Sequence, residues 1–417
     1  MILALAVAAC GTGDGDTRGG VPAGRPPRVL LIGLDGADLE QVEALVAAGR
    51  LPHLAGLMER GAYGELETVA NASPIVWTSI ATGVVPPKHG IEFFRRDGEP
   101  AASTMRRRPA FWNILSHYDR TVGVLGWWAT FPAERVRGYL VSPYVLLMPP
   151  RGAETRVRPF WSPGDPRKTH PPELESELAD LLYLEEDVDL AAMPSLYAGP
   201  ERTTNTGWVL AKDRSYYEMA RRLMAERPVD LVAVYFQAID AASHDHERWV
   251  HGPNVNQVRS ARVGPEEAEA AWARVESMYA WIDGLVGGLL ERTGPETDVL
   301  VVSDHGWSYD GTGHWNNDPG IFVAAGPSLA ARGRVDGLSV LDVTPVLLTL
   351  LGVPLSGDLD GEVPEDLLTG DLVAAVARVE AYPIPPVGLI ESVDSRAPED
   401  ELMIERLRSL GYLDAER

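Results

Sequence analysis

The run RVLLIGLDG, residues 28 to 36, is an unbroken string of apolar and small residues between an arginine and an aspartate-glycine pair. It shows no polar alternation, so as a strand it would be buried on both faces. That is the mark of a parallel sheet covered by helices, not of an antiparallel sheet with one wet face. The same form recurs along the chain. TVGVLGWWAT (121 to 130), VRGYLVSPY (136 to 144), VDLVAVYFQAID (229 to 240), TDVLVVSDHG (297 to 306) and PGIFVAAGP (319 to 327) read as further strands. Between them lie helical patterns: LEQVEALVAAGRLPHLAGLMERG (39 to 61), interrupted at Gly49 and Pro52, and SVLDVTPVLLTLLG (339 to 352), closed by Gly352. This alternation predicts an α/β fold with a mostly parallel central sheet flanked by helices.

Composition narrows the function. The chain has 417 residues, 45% hydrophobic and 23% charged, which suits a globular protein with a sizeable core. Its 37 basic and 60 acidic residues leave a net charge of −23, which repels polyanions, so a nucleic-acid polymer is not an expected partner. A small anionic substrate remains compatible, because bound cations reverse the sign within one site. Cys10 is the sole cysteine, so no disulfide joins two parts of the chain.

The context of Cys10 carries information of its own. MILALAVAAC is a short apolar run ending in small residues and a cysteine, and GTGDGDTRGGVPAGRPP after it has the composition of a tether. It resembles a bacterial lipoprotein signal, with VAA before a lipidated Cys10. The expectation is an exported, membrane-anchored protein whose residues 1–27 are signal and flexible tether. A catalytic domain is expected over 28–368, with a cap inserted at about 145–205, where Pro, Arg, Trp and acidic residues crowd together. Residues 369–417 would form a tail with a surface helix, and 246 to 265 a long loop.

Three apolar runs end in aspartate: LLIGLDG at Asp35, VAVYFQAID at Asp240 and VLVVSDHG at Asp304. Parallel α/β sheets bind ligands beyond the carboxyl ends of their strands, so these carboxylates are expected to converge. Asp240 and His244 are four apart and share a face if that segment is helical. His305 adjoins Asp304, and His314 follows in GTGHW (311 to 315). Three Asp and three His form an oxygen and nitrogen ligand set suited to two divalent ions, zinc first, with manganese and iron also accepted. His246 and His251 fit no position in that set, and His89 reads as part of a turn. Trp127, Trp128 and Trp161 read as packing residues.

NASPIVWTSIATG (71 to 83) holds four hydroxyls: Ser73, Thr78, Ser79 and Thr82. Pro74 suits the first turn of a helix, which makes Ser73 the expected N-cap and the hydroxyl nearest the positive end of the helix.

Taken in order, IGLDG, a hydroxyl ahead of TG, KHGI, D-x-x-x-H, SDHG and GTGH resemble the type I phosphodiesterase and nucleotide pyrophosphatase group of the alkaline phosphatase superfamily. The resemblance spans roughly residues 28 to 355 and implies an alkaline-phosphatase-like core. It implies a two-zinc hydrolase of phosphate esters, with Asp35, Asp304 and His305 at the metal beside the nucleophile and Asp240, His244 and His314 at the other. Counting ten residues back from Gly83 places the nucleophile at Ser73, itself a metal ligand, activated by zinc and forming a phosphoseryl intermediate. The chain departs from the pattern twice. Pro74 has no N–H to offer the substrate, which makes the Ile75 amide the next donor, and HGIEFFRRDG has no asparagine after HGI, which leaves Arg95 and Arg96 as candidate substrate contacts. Phosphonate or sulfate ester hydrolysis on the same metals is the alternative chemistry. A metal-binding surface lipoprotein without turnover is the alternative class.

Overall fold

β1 (Val29–Leu34) is buried at every position, as its uninterrupted apolar run predicts. The structure, a computed structural model, describes residues 25–96, 98–146, 165–183, 187, 206–251, 262–314, 316–386, 400, 401 and 404. After β1 come α1 (Leu39–Ala47), α2 (Pro52–Arg60), β2 (Ala62–Glu67), α3 (Ser73–Thr82), the single turn α4 (Pro86–His89) and the small hairpin β3 (Arg95–Arg96) and β4 (Glu99–Pro100). The middle of the chain supplies α5 (Phe111–His117), β5 (Val122–Leu125), β6 (Gly138–Val141), β7 (Thr169–His170), α6 (Leu174–Glu177), α7 (Thr206–Glu226) and β8 (Leu231–Phe236). The rest includes α8 (Ala238–Val250), α9 (Pro265–Leu290), β9 (Asp298–Val302), β10 (Gly320–Ala325), β11 (Gly333–Arg334), β12 (Leu338–Ser339) and α10 (Val343–Leu350).

The main sheet has ten strands in the order β11-β2-β10-β9-β1-β8-β5-β6-β7, with β12 also paired to β2. β9, β1, β8, β5 and β6 run parallel, while β10 and β7 are antiparallel to their neighbours. Alternation along β1 then sorts the core into two layers. Leu30, Ile32 and Leu34 pack with α1, α2, α7, α8 and α9, whereas Val29 and Leu31 pack with α3, α5 and α10. Strands buried on both faces are the reason the sequence shows no polar period.

The expected segments at 121–130, 136–144, 297–306 and 319–327 each contain one strand, and the two helices of 39–61 break where Gly49 and Pro52 predict. Three expectations change. The run 229–240 is not all strand, because β8 ends at Phe236 and Asp240 lies in the first turn of α8. Residues 246–250, expected as loop, continue α8, while 252–261 lie outside the described residues. Ser73 is not the N-cap. Ala72 holds the extended cap conformation, and Ser73 is the first helical residue, followed by Pro74. The sequence reading also has no counterpart of β2, whose AYGELE is half polar on a sheet flank. Most of the expected cap at 145–205 lies outside the described residues, and its longest described part, 165–183, adds β7 to the sheet edge. Cys10, Trp161 and most of the tail fall outside as well. Among the described residues, no helix is long and apolar enough to cross a membrane.

α3 leaves at Gly83, whose φ of +66° is left-handed and whose missing Cβ would otherwise meet Leu359 at 3.0 Å and Thr344 at 3.2 Å. His89 then ties the following turn back to the helix. The Ile91 N–H donates to His89 Nδ1 at 3.1 Å, so Nε2 carries the ring proton and meets Ser79 Oγ at 2.9 Å. Burial, together with the charge of Arg106, lowers the His89 pKa to about 3. Free histidine titrates near ~6.5, so below that pH the unfolded chain takes up a proton that the folded chain does not. The folding free energy is therefore expected to decline from about pH 6.5 toward pH 3, and His89→Gln is expected to remove about one proton from that slope. Denaturant unfolding at pH 7 and pH 5 measures it; equal losses in both proteins would count against the buried neutral imidazole.

Candidate active site

The parallel registers bring the groups of the candidate site to one level. Gly33 of β1 pairs with Val302 of β9, and Leu34 with Phe236 of β8, so Asp35 and Asp304 emerge side by side beyond the carboxyl ends of adjacent strands. The Asp240 N–H donates to the Asp35 carbonyl at 3.1 Å, which fixes the start of α8 against the end of β1. Gly36 makes that approach feasible: its φ is +69°, and a Cβ there would lie 2.9 Å from Asp240 Cβ.

Asp35, Asp240, Asp304 and His305 are fully buried, and His244 and His314 are 3% exposed. His305 Nε2 lies 3.4 Å from Asp35 Oδ1, 3.5 Å from Asp304 Oδ2 and 3.9 Å from Asp240 Oδ1. The same Asp240 Oδ1 is 3.6 Å from His244 Nε2. The rings of His305 and His314 stack at 4.3 Å, and that of His244 stands at 89° to His314. Ligand atoms of Asp240, His244 and His314 lie within 4.8 Å of one another, and so do those of Asp35, Asp240 and His305. The first of these groups is the expected second-metal set. The other differs from the expected first-metal set, Asp35, Asp304 and His305, in holding Asp240 where Asp304 was expected; Asp304 Oδ2 lies 3.5 Å from His305 Nε2 but is not part of that group.

The electrostatics call for cations. Burial raises the Asp304 pKa well above its usual value, and the neighbouring Asp35 carboxylate pushes it the same way. Burial would lower His305, but Asp304, Asp35 and Asp240 outweigh it and carry its pKa up to about 10. Asp304 Oδ2 is buried without a hydrogen-bond partner among the described residues, while Oδ1 accepts from the Gly36 N–H at 3.3 Å. His305 Nδ1 lies 3.0 Å from the Gly306 carbonyl; donating its proton there leaves Nε2 as a free ligand. Three dry carboxylates facing three imidazoles, with one carboxylate oxygen lacking any donor, fit divalent ions of the zinc class.

α3 contributes the hydroxyl, and the other three hydroxyls of its sequence are taken. Thr78 Oγ1 donates to the Pro74 carbonyl, Ser79 Oγ to that of Ile75, and Thr82 Oγ1 to that of Thr78, each four residues back. Ser73 Oγ instead points across the site to Asp35 Oδ1, 3.4 Å away. The Ile75 N–H, expected to be free for substrate, donates to the Ala72 carbonyl at 2.9 Å and is already used in the first turn of the helix. Arg95 and Arg96 form β3 of the hairpin; Arg96 is exposed and lines a shallow cleft with Phe93, Met105 and Arg107. His89 is structural, as expected, and Trp127 packs edge-on against Trp77.

The profile of the type I phosphodiesterase / nucleotide pyrophosphatase family matches residues 29–309. The chain belongs to this family. No curated protein matches it in sequence. Among solved structures, a 2-O GAG sulfatase and a protein from Bacteroides thetaiotaomicron described as a putative sulfatase both superpose with a TM-score of 0.55 at 13% identity, covering 86% of this chain and 76% of theirs. A protein solved in complex with a neocarrahexaose superposes at 0.50 and 14% identity, over 81% of this chain and 75% of its own. At those identities the likeness is one of fold, and the fold is alkaline-phosphatase-like. The family member is thus a hydrolase of the alkaline phosphatase superfamily, and divalent metals serve that superfamily.

Several residues around the site were not singled out from sequence. Tyr235 on β8 donates its hydroxyl to Asp35 Oδ2, and Trp77 Nε1 donates to the same oxygen at 3.3 Å. Their signal, an aromatic with a polar atom in an apolar strand or helix, is shared by many packing residues. Buried Asp213 of α7 accepts from the amides of Gln237 and Ala238 at 2.8 Å each, capping α8, and Lys212 beside it donates to the Gln237 side chain. A charged pair inside the apolar face of a helix was the available clue. Because Tyr235 and Trp77 orient Asp35, Tyr235→Phe and Trp77→Phe are each expected to weaken zinc binding by about 10-fold to 100-fold. Competition against a chromogenic chelator measures this, and wild-type affinity in both variants would sever these residues from the metal site.

Proposed function

We propose that this protein hydrolyses phosphate esters, diesters ahead of monoesters, with Ser73 as nucleophile. The observation that carries the reading is the hydroxyl census of α3: only Ser73 is turned toward the buried carboxylates, and it lies within 3.4 Å of one of them. The family match supports phosphodiester or pyrophosphate chemistry. Asp35, Asp304, His305 and Ser73 would hold one divalent ion and Asp240, His244 and His314 the other. When bound, such ions lower the pKa of a coordinated hydroxyl and neutralise charge on phosphoryl and leaving oxygens.

The residues of the chain then divide the work. Ser73 Oγ gives its proton to solvent and attacks phosphorus in line, forming a Ser73–phosphate ester bond as the P–O bond to the leaving oxygen breaks and that oxygen departs with the bonding pair, taking up a proton from solvent. Water hydrolyses that ester and regenerates the serine. Asp35 sits against Ser73 Oγ and, held by Tyr235 and Trp77, fixes the direction from which the hydroxyl attacks. Burial of the whole cluster keeps competing water away from its carboxylates. We place the protein outside the cytoplasm, anchored by lipid at Cys10, on the strength of the small residues that precede that cysteine; loss of membrane association in Cys10→Ala is the corresponding test.

Zinc-loaded protein assayed on aryl phosphodiesters, phosphomonoesters, phosphonates and sulfates is expected to act fastest on diesters. Ser73→Ala is expected to lose about a thousandfold or more in kcat/KM while keeping its metal, and Asp304→Asn to lose metal and activity together. Turnover surviving in Ser73→Ala would overturn the nucleophile assignment. Faster cleavage of sulfates or phosphonates would reassign the substrate, and no turnover of any ester would favour a binding protein.

A further inference from the structure

The sequence assigns the tryptophans after β5 to packing, yet one of them reaches the candidate site. Trp128 is partly exposed, and its Nε1–H donates to the Tyr235 hydroxyl at 2.9 Å. An indole nitrogen can only donate, so Tyr235 Oη accepts there, and its own proton is directed to Asp35 Oδ2. Trp77 Nε1 meets the same oxygen at 3.3 Å. Two donors thus hold Asp35 Oδ2, while Oδ1 faces Ser73 Oγ at 3.4 Å and His305 Nε2 at 3.4 Å.

The backbone that carries Trp128 is held on both sides. Ala129 lies at a φ of +52°, a left-handed conformation that a residue with a Cβ keeps only where its surroundings demand it. The demand comes from Arg106, whose Nη1 donates to the Ala129 carbonyl at 3.2 Å and whose guanidinium pairs with buried Glu134. On the other side, Trp127 Nε1 donates to the Trp77 carbonyl at 3.1 Å, and Thr130 Oγ1 to the Trp127 carbonyl at 2.6 Å. The Phe94 ring meets the Trp128 ring edge-on at 6.1 Å. Turning the Tyr235 hydroxyl away from Asp35 would forfeit its bond to that carboxylate, and in a dry site the bonds of such a chain strengthen one another.

We propose that Trp128 is a positioning residue for the candidate metal site and acts through Tyr235. Its indole N–H sets the direction of the Tyr235 hydroxyl, which occupies Asp35 Oδ2 and leaves Oδ1 turned to Ser73 and His305 as the atom offered to an ion. The relay runs from a partly exposed ring on the loop after β5 to a fully buried carboxylate at the end of β1. The inference rests on the reading of Asp35 as a metal ligand and on no step of hydrolysis.

The test is a double-mutant cycle on the full chain, read as zinc affinity by competition with a chromogenic chelator. Trp128→Phe keeps a ring against Phe94 but removes the N–H, and is expected to weaken zinc binding about 3-fold to 10-fold. In the Tyr235→Phe background, where the relay is already cut, the same change is expected to cost less than about twofold. A role in packing alone would give the same loss in both backgrounds. A second measurement loads the proteins with cobalt, whose visible absorption follows the geometry of its ligands. Trp128→Phe and Tyr235→Phe are expected to displace that band in the same sense, and the double variant to match Tyr235→Phe. Wild-type affinity in Trp128→Phe, equal losses in the two backgrounds, or an unmoved cobalt band would overturn the proposal. Neither measurement needs turnover, so a protein that hydrolyses no ester fails the hydrolytic reading separately. Wild-type zinc affinity in Asp35→Asn would remove the metal-ligand reading and the relay with it.

Discussion

Mutual repulsion among Asp35, Asp240 and Asp304, all removed from water, is the constraint on which the rest of the structure depends. Each would prefer solvent, and among the described residues Asp304 Oδ2 finds no hydrogen-bond donor. Three devices hold them in place. Tyr235, Trp77 and the Gly36 amide donate to Asp35 and Asp304, His305 sits within 4 Å of all three carboxylates, and the Asp213 cap on α8 determines where Asp240 lies. What these leave undone makes the cluster a candidate site for the divalent cations that serve this superfamily.

The topology explains how such a cluster can be built at all. Three neighbouring strands, β9-β1-β8, run parallel in the middle of the sheet, so their carboxyl ends open on one place. Flanking helices then deliver what strands cannot. α3 brings Ser73 in from one face of the sheet, where it packs with the Val29 and Leu31 side of β1, and α8 brings Asp240 and His244 in from the other. The site therefore lies where the two helical layers meet over the end of the sheet, the position that parallel α/β topology makes available to ligands.

The large-scale features were legible in the sequence because each rests on a local pattern. Continuous apolar runs mark strands buried on both faces, and Asp35 and Asp304 are read directly from where two such runs stop. Asp240 was harder. VAVYFQAID is apolar throughout, and no local signal separates the end of β8 from the first turn of α8, a boundary set by the Asp213 cap from 24 residues away in α7. β2 escaped notice for the opposite reason: AYGELE exposes alternate residues at the flank of the sheet and reads as polar. Tyr235, Trp77, Lys212 and Asp213 act through contacts formed only once distant segments meet, and one sequence records no such meetings.

The N-terminus of α3 joins these strands of argument. A helix beginning with free amides would itself be an anion site, with backbone N–H groups aimed at phosphoryl oxygens. This helix withholds them. Pro74 has no N–H, and the amides of Ile75 and Val76 both donate to the Ala72 carbonyl, at 2.9 and 3.1 Å. The Ser73 hydroxyl stands at this entrance, turned toward Asp35. On the proposed function, neutralising the charge of a phosphoryl group would then fall to cations held by the carboxylate and imidazole cluster. The Ser-Pro pair that starts the helix would, on that same function, make the chemistry depend on metal held by the three aspartates that the fold brings together.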